Sequence, residues 1–88
     1  MKLIIAIVSD SDAEPVVQAL IAAGFRVTRV ASTGGFLRKG NTTLLLGTEP
    51  DRIDEAIGRM RSATSEPPDH DRHRGTVFVL DIDRFEQF

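Results

Sequence analysis

The 88-residue chain has no cysteine, tryptophan or tyrosine and only two histidines. Without cysteine there is no disulfide framework, iron–sulfur cluster, zinc knuckle or thiol nucleophile. Neither sign of charge dominates: eleven Lys and Arg stand against thirteen Asp and Glu, for a formal net charge of −2. A sequence-independent nucleic-acid binder draws its affinity from many cations set against phosphates, so this balance argues against that class. An RNA-recognition module would need exposed aromatics on its inner strands, and five phenylalanines are all the aromatics present. The longest apolar run, residues 3–8, is far short of the ~20 residues that cross a bilayer. No charged region and small-residue cleavage site frame it as a signal peptide. The expectation is one soluble, cytoplasmic domain over residues 1–88, with no membrane insertion. At 41% apolar, such a chain fills one modest core and buries only ~60–65% of its unfolded surface.

What is present has a clear order. Residues 2–8 form a strand apolar on both faces, with Leu3, Ile5 and Ile7 alternating with Ile4, Ala6 and Val8. Ser11 and Glu14 then fit a capping box, and Pro15 is tolerated in a first turn. Ala13, Val16, Val17, Leu20 and Ile21 recur at helical spacing, and Gly24 is the expected stop. Residues 25–33 alternate as a second strand and residues 41–48 as a third, joined closely enough to make an antiparallel hairpin. A second helix starts with Thr48 as N-cap and Pro50 in its first turn, and buries Ile53, Ala56, Ile57 and Met60. Residues 65–75 make a short polar loop with Pro67 and Pro68. Residues 76–82 form a last strand, with Val77 and Val79 on one face and Phe78, Leu80 and Ile82 on the other.

The order βαββαβ predicts an α+β, ferredoxin-like fold: an antiparallel sheet with two helices on one face. No further layer is available to cover the other face. A bare apolar face of that size exceeds what monomers usually show, so a second copy of the chain is expected to close it.

Nothing resembles a catalytic set. His70 and His73 lie in the most polar segment rather than on the scaffold that acid–base chemistry needs. Residues 69–73 read more simply as a solvated loop than as a metal site. Asp81 and Asp83 read as the solubilising end of an edge strand rather than as cation ligands. Neither cofactor nor metal is expected.

The stretch 26–47 differs. Arg26 brings a planar fork of donors suited to phosphate. Gly34 and Gly35 let the backbone approach an anion closely. Phe36 can stack on a base, and the Asn41 amide offers a donor and an acceptor to an adenine edge.

The run Thr33-Gly34-Gly35-Phe36-Leu37-Arg38, leading to Asn41 and preceded by Gly24 to Thr28, closely resembles the PII-like cyclic di-AMP receptor family (DarA/PstA type). Residues 1–8, 76–80 and 85–88 resemble the same family. The resemblance implies a non-enzymatic, signal-transducing homotrimer with cyclic di-AMP at the clefts between subunits and a protein target downstream. Carried over by position, the ligand-binding residues are Arg26, Thr28, Gly35, Phe36, Leu37, Asn41, Gly47, Phe78 and Gln87. It assigns phosphate to Thr28 and the amides near Gly35 and Phe36, and adenine to Asn41 and the Gly47 backbone. Phe36 and Leu37 would pack on the bases, with Phe78 and Gln87 completing the pocket.

Two departures stand out. The family usually has a longer insertion where this chain has residues 65–75, and Lys39 replaces a commonly small residue. Two further readings stay open: a PII-like regulator sensing another adenine nucleotide or metabolite, and a metal-binding trimer of the CutA kind using His70 and His73.

Overall fold

The computed structural model describes residues 1–30, 40–65 and 74–88. Its elements are β1 (Lys2–Ser9), α1 (Asp10–Ala22), β2 (Thr28–Val30) and β3 (Asn41–Thr48), a 3-10 turn (Pro50–Arg52), α2 (Ile53–Ala63), and β4 (Gly75–Asp81). The sheet order is β2-β3-β1-β4, with every adjacent pair antiparallel. Each βαβ unit therefore has a foreign strand inserted between its own two, the split βαβ arrangement expected from the element order.

Cross-strand register separates the two faces of the sheet. Ile4 lies beside Leu46 and Val79, and Ala6 beside Leu44 and Val77. These residues join Val16 and Leu20 of α1 with Ala56 and Met60 of α2 in a single core. Both helices therefore cover the face carrying Ile4, Ala6 and Val8. Ile4, Val16, Leu20 and Leu44 are fully buried, and burial of each such side chain contributes ~1.5–3 kcal/mol.

The end of α1 is fixed by its stop signal. The amide of Gly24 donates to the Ile21 carbonyl at 2.9 Å and that of Phe25 to the Leu20 carbonyl at 3.0 Å. These two bonds form a Schellman motif, with Gly24 at φ +90°. Nothing lies within 4 Å of a Cβ built on Gly24, so Gly24→Ala should act through backbone strain alone. It should lower stability by ~1–2 kcal/mol in urea denaturation; an unchanged midpoint would contradict the role given to Gly24.

Phe25, whose amide closes that motif, turns into the core at 5% exposure. This is why β2 begins only at Thr28 rather than at residue 25. Residues 31–33 of the expected strand and the tip of the hairpin lie outside the described residues.

Both helix starts depart from expectation. Helix α1 begins at Asp10, whose amide donates to the Gly40 carbonyl at 2.8 Å. The Ser11–Glu14 capping box does not form: Glu14 accepts instead from Gln18 and Arg29, each at 2.8 Å. The earlier start puts Pro15 in the second turn, where its ring nitrogen cannot donate to the carbonyl of Ser11, an exposed residue. At α2, Thr48 makes no cap. It is buried at the end of β3, and the 3-10 turn Pro50–Arg52 leads into the helix.

Two polar ties hold the helical layer. Asp12, only 6% exposed, accepts from the Ser65 hydroxyl at 2.9 Å and the Ser65 amide at 3.2 Å. The start of α1 is thereby fastened to the residues just past α2. Arg52 donates to the Ala23 carbonyl at 2.8 Å and lies 4.1 Å above the Phe25 ring, pinning the entry of α2 to the α1 stop.

Candidate functional site

The sheet face opposite the helices is unpartnered in the single chain. Register places Leu3, Ile5, Ile7, Leu45, Phe78 and Leu80 on it. The four central residues are half-buried by their neighbours, while Phe78 and Leu80 on the edge strand are 52% and 46% exposed.

The strand-borne candidate residues share this face. Thr28 pairs with Leu45, Leu45 with Ile5, and Ile5 with Phe78. Thr28 and Phe78 thus end a single cross-strand row, at opposite edges of the sheet. Three strand spacings separate them by roughly 14 Å, and the row between offers only Leu45 and Ile5. Asn41 pairs with Ser9, and Gly47 with Leu3, so both also belong to this face.

Asn41 and Gly47 stand at opposite ends of β3, six residues or roughly 20 Å apart along the strand. One chain does not bring them to the same base. Arg26 is exposed just before β2, and Gln87 is exposed in the tail beyond β4. Gly35, Phe36 and Leu37 lie outside the described residues, as do His70 and His73. Gly47 is a close approach: a Cβ there would lie 3.4 Å from the Met1 sulfur.

The charges near these residues are local and balanced. Lys2 forms an ion pair and hydrogen bond with Asp81, which holds the Asp81 carboxyl below the usual carboxylate range. Asp81 therefore ties β4 to β1. Hydrogen bonds from Gln18 and then Arg29 likewise lower the Glu14 carboxyl. Arg29 points to the helical face toward α1, whereas Thr28 beside it lies on the open face. Among the described residues no group of three or more His, Asp or Glu is arranged to hold a metal ion, and no helix is long and apolar enough to cross a membrane.

A concavity of about 370 Å³ lies elsewhere, between the last turns of α2 and the start of β4. It contains none of the residues named as candidates from the sequence. Its signal was faint there: Arg61 and Thr64 beside the Ile57–Met60 stripe look like an ordinary solvated helix end.

Residues 1–68 match the family described as cyclic-di-AMP receptor. The chain belongs to that family. The match to the cyclic-di-AMP receptor family takes in Arg26, Thr28, Asn41 and Gly47 and stops within the polar connection, so Phe78 and Gln87 lie beyond it. Among solved structures the chain is similar to a functionally unknown protein from Pediococcus pentosaceus ATCC 25745. The two are 36% identical with a TM-score of 0.77, over 99% of this chain and 96% of that one.

Proposed function

We propose that the protein is a non-enzymatic, cytoplasmic receptor that binds cyclic di-AMP between copies of the chain in a PII-like homotrimer. The observation that carries this is the common face of Thr28, Asn41, Gly47 and Phe78 in a chain of the cyclic-di-AMP receptor family. Thr28 and Phe78 lie at opposite edges with an apolar row between them. A dinucleotide held by both edges at once needs the β2 edge of one copy to meet the β4 edge of another. The open apolar face supplies the drive for that assembly.

The polar groups then divide the ligand. Arg26, the Thr28 hydroxyl and the amides of Gly35 and Phe36 would take the phosphates. Asn41 and Gly47, too far apart for one base, suit the two adenines of a symmetric dinucleotide or two sides of a composite cleft. Phe36, Leu37 and Phe78 supply apolar contact to the rings, and Gln87 a further polar contact. Three chains carry 3 × −2 = −6 in formal charge, so recruitment of a dianion rests on local donors rather than on a long-range field. Two or three charge-assisted bonds at ~1.5–3 kcal/mol each, with stacking, suffice for micromolar affinity, about −8 kcal/mol.

Titration calorimetry with cyclic di-AMP, ATP, ADP and cyclic di-GMP tests this. Cyclic di-AMP should bind at micromolar concentration and more tightly than the rest. A preference for ATP or ADP would move the assignment to a PII-like sensor of a mononucleotide. Asn41→Ala should weaken cyclic di-AMP by ~1–3 kcal/mol, the cost of an unpaired polar partner; unchanged affinity would remove Asn41 from the site.

A further inference from the structure

We propose that the cleft between α2 and β4 is a second ligand site, for a small amphipathic anion with an apolar body and a carboxylate head. Its place follows from how the helices lie. They pack over β1 and β3, and the helix-side residues of β4 are left partly uncovered, with Val77 half-buried and Val79 42% exposed. The opening so formed, about 370 Å³, falls within the size range of small-molecule sites.

The chemistry of the walls selects the ligand. Val8, Ile57, Met60 and Val77 make an apolar floor, and Arg61 and Arg74 stand on the rim with Thr64 and Thr76. Among the described residues no acidic side chain lines the opening. An apolar chain would be desolvated against the floor while its head stays at the rim, within reach of the Arg61 guanidinium. A carboxylate is the complementary head, because arginine meets it through two parallel donors. A cationic head on the same body would meet arginine instead and be rejected. At Gly75 a side chain would crowd this wall, because a Cβ would meet the Ile7 carbonyl oxygen at 3.0 Å and a Val8 methyl at 3.2 Å.

The apolar floor of this cleft lies across the sheet from the proposed dinucleotide site, and Thr76 on its rim pairs with Ile7 of the open face. Val8 and Val77 belong to the helical face, whereas Thr28, Asn41, Gly47 and Phe78 belong to the opposite one. The two should therefore fill independently.

Methyl NMR of the assembled protein titrated with octanoate tests the proposal, with octylammonium as the control of opposite charge. Octanoate should produce saturable shifts at Ile57, Met60, Val8 and Val77 and leave Ile5 and Ile7 unmoved. Octylammonium should not saturate. Arg61→Gln, an exposed substitution that should leave the melting temperature unchanged, should weaken octanoate roughly tenfold. Saturating cyclic di-AMP should leave octanoate bound. Shifts centred on Ile5 and Ile7, equal binding of the two amphiphiles, an unaffected Arg61→Gln variant, or displacement by cyclic di-AMP would each overturn the assignment.

Discussion

Ile5→Lys should yield a folded chain that no longer assembles and no longer binds cyclic di-AMP. Ile5 sits in the middle of the open face, flanked by Leu45 and Phe78. In the isolated chain it is only half-buried, so a lysine stem can lie along its neighbours with the ammonium in water. In an assembly closed over this face, the same ammonium would be sealed among apolar side chains. Burying an unpaired charge costs several kcal/mol, and the cost recurs in every copy. Sedimentation should report monomers for the variant and a larger particle for the parent, and calorimetry should report no heat with cyclic di-AMP. A variant that stays assembled would show that some other surface joins the copies.

The largest effect on folding should come from Leu44→Ala. Leu44 has no exposure, pairs with Ala6, and belongs to the core shared by β1, α1 and α2. Removing a fully buried leucine side chain leaves a cavity and costs ~2–5 kcal/mol. A domain of this size holds only ~5–10 kcal/mol in total, so about half its stability should disappear. Val79→Ala is the matched control: it lies on the same face of the sheet but is 42% exposed on the edge strand, and should cost less than ~1 kcal/mol. Both are to be read from urea denaturation at one fixed protomer concentration, because assembly stabilises the folded chain by mass action. Equal losses from the two would contradict the placement of the core under the helices.

Much of this architecture was legible from periodicity because the strands are patterned so strictly. The third strand runs from Asn41 to Thr48 as its Thr- and Leu-rich sequence indicates. The alternation of Val77 and Val79 with Phe78 and Leu80 matches the register against β1. Gly24 stops α1 because a positive φ is needed there.

The misses share a cause, which is contact between segments distant in sequence. Helix α1 starts at Asp10 because Gly40, thirty residues away, accepts its amide proton. Glu14 reaches out to Arg29 rather than back to an N-cap. Thr48 is drawn into the sheet next to Lys2 and loses its place as a cap. At the candidate site, the sequence indicated which residues suit a nucleotide. It did not indicate that Thr28 and Phe78 end one row at opposite edges, nor that Asn41 and Gly47 stand a whole strand length apart. Those distances come from strand pairing, and the proposed composite cleft rests on them. The cleft beside Arg61 was invisible for the same reason, since β4 and α2 meet only in the folded chain.

Mixing two disabled variants puts the composite cleft to its most direct test. Thr28→Ala and Phe78→Ala should each lose most cyclic di-AMP binding as pure assemblies. When unfolded together and refolded as a mixture, they form junctions in which an intact β2 edge from one chain faces an intact β4 edge from the other. Calorimetry of the mixed assembly should then show high-affinity binding that neither parent shows alone. A mixture as inert as its components would mean that both edges must be intact in the same chain, and the dinucleotide would not bridge two copies.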